Sequence, residues 1–76
     1  MQMHIYYLDV IMQSNVLYNK AIEELSFKEF GRSQYTLVEM IHLIDRIKKD
    51  FDCFNYPNCY YPYCLLSRIQ GFLYPN

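Results

Sequence analysis

The sequence predicts an all-α fold, a small helical bundle of about three main helices with a short capped turn and an aromatic-rich loop, forming a single helical domain over residues 1–76. Three observations carry this expectation. Apolar residues recur at spacings of three and four in three separate stretches, the mark of helices that bury one face. The Gly and Pro residues, Gly71 excepted, fall between or at the ends of those stretches, where such residues break helices. One stretch is open to a strand reading, but no second strand-like segment exists to pair its backbone groups.

The first helix is predicted over His4–Leu25. Leu8, Ile11, Tyr18, Ile22 and Leu25 form a seam with Asn15 at its one polar position, which suits near-antiparallel packing on a neighbour. The rival is a strand over His4–Met12, where Ile, Tyr and Val are dense, followed by a helix capped at Ser14. Ser26 and Glu29 fit a capping box. They are expected to open a short turn, Phe27–Phe30, that Gly31 ends through the left-handed conformation glycine tolerates. Gly31 to Gln34 then reads as a link.

The second helix is the clearest in the chain. Leu37, Met40, Ile41, Ile44, Ile47 and Phe51 fall on one face, with Val38 and Leu43 at its edges, and charged residues lie mostly elsewhere. Ser33 or Thr36 is the expected cap, and the helix should reach about Asp50–Cys53. Asn55-Tyr56-Pro57-Asn58 is a turn signal. Pro62 suits the first turn of a last helix, where its missing N–H costs nothing. Leu65, Leu66, Ile69, Phe72 and Leu73 give that helix an apolar face, Gly71 weakens it by up to about 1 kcal/mol, and Pro75 stops it.

Composition narrows the function. A chain of 76 residues buries only roughly 60% of its unfolded surface, so a partner, metal or disulfide would add useful stability. The three cysteines are an odd number, which points to a reducing compartment or to one thiol left for another chain. No apolar run reaches the length of a membrane span, and Met-Gln-Met-His carries no cationic leader pattern. A soluble cytoplasmic protein, inside a host cell if viral, is the expectation. Net charge is −1, which gives no field drawing the chain to nucleic acid or an anionic membrane. Residues 26–52 hold ten charges, five of each sign, whereas 53–76 hold only Arg68. A stretch so poor in charge is unlike a solvating tail, and is expected to pack on its own domain or on something else.

The residues that bear on chemistry are few. Cys53, Cys59 and Cys64, with His42 or His4, supply enough ligands for zinc, although the tight Cys-x-x-Cys knuckle is missing. The competing reading makes Cys53 and Cys64 small buried hydrophobes. No cofactor is expected. Glu23, Glu24, Glu39, Asp45, Asp50 and Asp52 are dispersed among basic residues, as on a solvated face. No phosphate loop, HExxH or GxSxG motif is present, and enzymatic activity is not expected. Arg32, Arg46, Lys48 and Lys49 are the candidate phosphate contacts of an alternative reading as a DNA-binding regulator. In it the capped turn and second helix loosely resemble a helix-turn-helix. Glu39, Asp45 and Asp50 on the would-be reading helix oppose the positive stripe such binding needs.

The uncharged segment Phe51–Cys64 stands out. Phe51, Phe54, Tyr56, Tyr60, Tyr61 and Tyr63 make six aromatics in thirteen residues, with Pro57 and Pro62 stiffening the chain. Phe51 and Phe54 are expected to plug the core. Tyr56, Tyr60, Tyr61 and Tyr63 are the expected partner-binding residues, because tyrosine gives large contact area at low entropy cost. The expected partner is another protein. Self-association is a companion expectation, since the apolar seams exceed what three short helices bury. In kind, through no motif, such a chain resembles the small inhibitors that phages and mobile elements make against host enzymes or defence complexes. A zinc-stabilised interaction module is the third reading.

Overall fold

Among the described residues there are three helices: α1 (Gln2–Ser26), α2 (Phe30–Asp50) and α3 (Tyr61–Leu73). The structure, a computed structural model, describes residues 2–50 and 60–75, with side chains described over 6–49 and 60–75. The expectations for Phe51, Phe54, Tyr56, Cys53, Cys59 and the Asn55–Asn58 turn lie outside the described residues. His4–Met12 is helical, not a strand. Each helix packs against the other two, giving a small all-α bundle.

Helices α1 and α2 run antiparallel. Val10 shares a core cluster with Ile47, and Ala21 shares a second with Leu37 and Met40. Helix α3 runs alongside the second half of α1. At its start Tyr61 reaches Asn15, its middle places Leu65 and Ile69 in the Ala21 cluster, and Phe72 at its end lies beside Ile22 and Leu25. Pro62, in the first turn of α3, is buried among Ser14, Met40, Leu43 and Ile44. Each large aliphatic group buried in these clusters contributes about 1.5–3 kcal/mol. The molecule is elongated, 41 × 23 × 15 Å. Among the described residues, no helix is long and apolar enough to cross a membrane.

The seam of α1 differs from the expected one by a single position. The residues turned inward toward α2 are Tyr7, Val10, Ser14, Ala21 and Glu24, whereas Leu8 is exposed and Ile11, Tyr18, Ile22 and Leu25 are half-buried. The spacing of three and four is the same in both sets. Hydropathy favours the second set because the first contains a serine, an alanine and a glutamate. Packing chooses the first because α1 meets two helices. Its small residues let α2 approach, and Ile11, Tyr18, Ile22 and Leu25 fill the flank against α3 and the cores.

The link between α1 and α2 also departs from expectation. Ser26 does not cap a new helix. Its hydroxyl donates to the Ile22 carbonyl at 2.9 Å inside the last turn of α1. The stop is made by Lys28, at φ 58°. The Lys28 N–H donates to the Leu25 carbonyl at 3.0 Å and the Glu29 N–H to the Glu24 carbonyl at 2.8 Å. Those two bonds close a Schellman motif, normally built on glycine. Gly31 ends nothing; it lies in the first turn of α2, which begins six residues before Thr36. Ser33 and Thr36, expected as caps, are buried inside α2. The Ser33 hydroxyl lies 3.5 Å from the Ala21 carbonyl and the Thr36 hydroxyl 2.7 Å from Glu24 Oε1. Glu24 is therefore a buried partner of α2, not part of a solvated face.

The exposed edge of α2 is wider than its hydropathy suggests. Ile41 and Val38 are exposed while Leu43 is buried, because the axis of burial points between α1 and α3. Lys48 and Lys49 close the helix, where cations oppose the negative end of its dipole. In α3, Leu65 and Ile69 are buried and Phe72 is exposed. The Tyr74 N–H caps the end on the Gln70 carbonyl at 2.8 Å, just before Pro75.

Candidate functional site

The start of α3 gathers the described tyrosines. Tyr60 adopts φ −75° and ψ −18° ahead of Pro62, so the ring of Tyr60 and that of Tyr63 one turn later share a side of the chain. Their centroids are 6.5 Å apart with planes tilted by 45°, within the contact range of aromatic pairs. Tyr60 is 60% exposed and Tyr63 half-buried. Tyr61 does something else. Its hydroxyl donates to Asn15 Oδ1 at 2.6 Å, while the Asn15 amide lies 3.4 Å from the Ile11 carbonyl. The polar position in the α1 seam thus anchors the front of α3. Of the four tyrosines named from the sequence, two make a surface pair, one is a strut between helices, and Tyr56 lies outside the described residues.

The opposite face carries a feature the sequence reading missed. A groove of about 520 Å³ runs between α1 and α2 and takes no residue from α3. Its floor is Leu17 and Leu43, and its walls include Met12 and Val16, which are 66% and 65% exposed. Asp9, Glu39 and Arg46 rim it, with His42 between the last two. Asp9 accepts a bond from the Gln13 amide at 2.7 Å. Lys20 and Glu39 approach to 3.9 Å across the helix pair, and the Arg46 guanidinium sits 6.0 Å from the centre of the Tyr6 ring, the distance of a weak cation–π contact. The one signal that pointed here was the excess of the apolar seams over what three short helices bury.

The remaining sequence candidates do not converge. Arg32 pairs with Glu29 at 3.1 Å in the first turn of α2, about 21 Å along the helix from Arg46 at 1.5 Å per residue. Lys48 follows Arg46 by two positions, about 200° round the helix, and leaves on the far side, whereas Lys49, three positions on, shares the side of Arg46, so only two of the four cations lie together. The expected Phe27–Phe30 helix of a helix-turn-helix does not form: Phe27 and Lys28 are spent on ending α1. Cys64 is exposed, in contrast to the small buried hydrophobe expected. His42 follows Met40 by two positions, and Met40 packs with α3, so His42 faces the groove and Cys64 lies on a helix across the bundle. Among the described residues no three His, Cys, Asp or Glu side chains come together as metal ligands.

No family model, curated protein or solved structure matches this chain.

Proposed function

We propose that this chain is a non-enzymatic protein-binding module that acts by covering a surface of another protein. The observation that carries the reading is the tyrosine pair at the front of α3. Tyr60 offers an exposed ring, Tyr63 lies beside it with its ring centre 6.5 Å away, and the intervening Tyr61 ties the turn to Asn15. An aromatic patch held by helix and proline loses little freedom on binding, and tyrosine is the residue type most used for such anchors. The activity it would serve is steric masking of a host enzyme or defence complex, in the manner of small inhibitors of phages and mobile elements, inside the host cell.

The test is capture from a lysate of the source cell by the tagged chain and by its Tyr60→Ala plus Tyr63→Ala variant. Tyr60 is exposed just ahead of α3 and Tyr63 is half-buried on it, outside both core clusters, so circular dichroism should show an unchanged helical signal. A partner held by the first protein and lost by the second supports the reading. A variant that holds the same partners with equal strength refutes it.

A further inference from the structure

We propose that the α1–α2 face opposite α3 is where a second copy of this chain docks, making a two-fold dimer with the tyrosine pairs on its outer sides. Three charges line the apolar groove, Asp9, Glu39 and Arg46, and a fourth, Lys20, stands just past its end beside Glu39. Asp9 and Lys20 lie on α1, about 16 Å apart at 1.5 Å per residue, and Glu39 and Arg46 on α2, about 10 Å apart. Because the helices are antiparallel, Asp9 and Arg46 share one end of the face and Lys20 and Glu39 the other, where they approach to 3.9 Å. The signs therefore alternate around the frame.

An alternating frame of this kind is complementary to itself. Two identical faces meet through a two-fold axis lying in the interface. With the axis along the helices, Asp9 meets the partner's Arg46 and Lys20 meets the partner's Glu39. With the axis across the helices, Asp9 meets the partner's Lys20 and Arg46 meets the partner's Glu39. Every corner faces its opposite in both cases, a condition an arbitrary protein surface would not meet. Inside the frame, Met12 and Val16 stand proud of Leu17 and Leu43, which gives each copy apolar side chains to lay into the other's groove. Complementary rims of this type set register and suppress wrong partners, while the apolar centre supplies affinity. Nothing in this face overlaps Tyr60 or Tyr63, so it stands or falls apart from the proposed function.

Sedimentation velocity on the intact chain, from about 1 µM to 1 mM, spans the affinities expected of a small interface. A dimer should form across that range. Val16→Glu should abolish it without changing the helical signal, because Val16 is exposed in the single chain. Asp9→Lys should weaken it by about tenfold, since the symmetric dimer repeats the altered contact twice. Adding Arg46→Glu to Asp9→Lys should restore the dimer if the axis runs along the helices; adding Lys20→Glu should do so if it runs across them. A chain that stays monomeric throughout overturns the proposal. So does a Val16→Glu variant that dimerises like the parent, or a failure of both second reversals to restore association.

Discussion

The Thr36 hydroxyl donates to Glu24 Oε1 at 2.7 Å across the α1–α2 interface, with both residues buried. This bond lets a carboxylate sit where hydropathy would put a leucine. Removing one partner is costlier than removing both, because a buried acceptor left behind keeps its desolvation penalty. Thr36→Val is expected to cost about 1–3 kcal/mol. Glu24→Met combined with Thr36→Val should recover most of that loss. Urea denaturation of the two single variants and the double closes the cycle; strictly additive costs would show that the two groups are not coupled.

Lys28 occupies the left-handed position that ends α1, at φ 58°, a conformation costing an L-residue roughly 1–2 kcal/mol. Lys28→Gly should relieve that strain and, net of the greater freedom of glycine in the unfolded chain, stabilise by about 1 kcal/mol. Gly31→Ala should stabilise by a similar amount for the opposite reason. Its added Cβ meets nothing within 4 Å, and alanine suits a helix better than glycine. In a domain of this size each change should raise the melting temperature by about 4–8 °C. A fall in either case would contradict the turn geometry described above.

These two positions show where the sequence was legible. The three helices, the place of Pro62 and most of the buried faces of α2 and α3, Ile41 and Phe72 excepted, follow from periodic apolar residues, because burial of a stripe is a strong and redundant signal. The turn at Lys28 left no such trace: a lysine in the left-handed region is outvoted by a nearby glycine and by a serine–glutamate pair that mimics a capping box. The α1 seam was misplaced by one residue because Ser14, Ala21 and Glu24 are chosen for size and hydrogen bonding, which hydropathy does not register. Similarly, composition marked the tyrosines near α3 as a group. It could not separate Tyr61, whose hydroxyl is used internally, from Tyr60 and Tyr63. The groove beside Val16 was out of reach for a related reason: it is made by two helices at a common level, and only the antiparallel pairing sets that level.

Tyr61 and Asn15 join α3 to α1 through one hydrogen bond of 2.6 Å. Tyr61→Phe keeps the ring and deletes the bond, so a loss of about 0.5–1.5 kcal/mol is expected, with little effect on capture of a partner by Tyr60 and Tyr63. Asn15→Ala should cost a comparable amount, and the two losses should not add. A Tyr61→Phe protein with full stability but no partner binding would move Tyr61 from strut to contact residue.

Tyr7 offers a pH-dependent test of the upper core, where it is buried with Val10, Leu43 and Ile47. Burial pushes its phenol above the ordinary value, which is about 10 in an exposed tyrosine. The folded state therefore favours the protonated phenol more than the unfolded chain does. Its contribution is complete below pH about 10 and is lost as pH rises from there through the folded-state value, with a slope of up to about 1.4 kcal/mol per pH unit. Tyr7→Phe removes this ionisation and leaves the other eight tyrosines to titrate as before. The stability difference between parent and variant, measured by urea denaturation, should be constant from pH 7 to 9. Above pH 10 it should shift in favour of the variant. A difference that stays flat to pH 11 would mean that the Tyr7 ring is open to solvent and that α1 does not close over Leu43 and Ile47 as described.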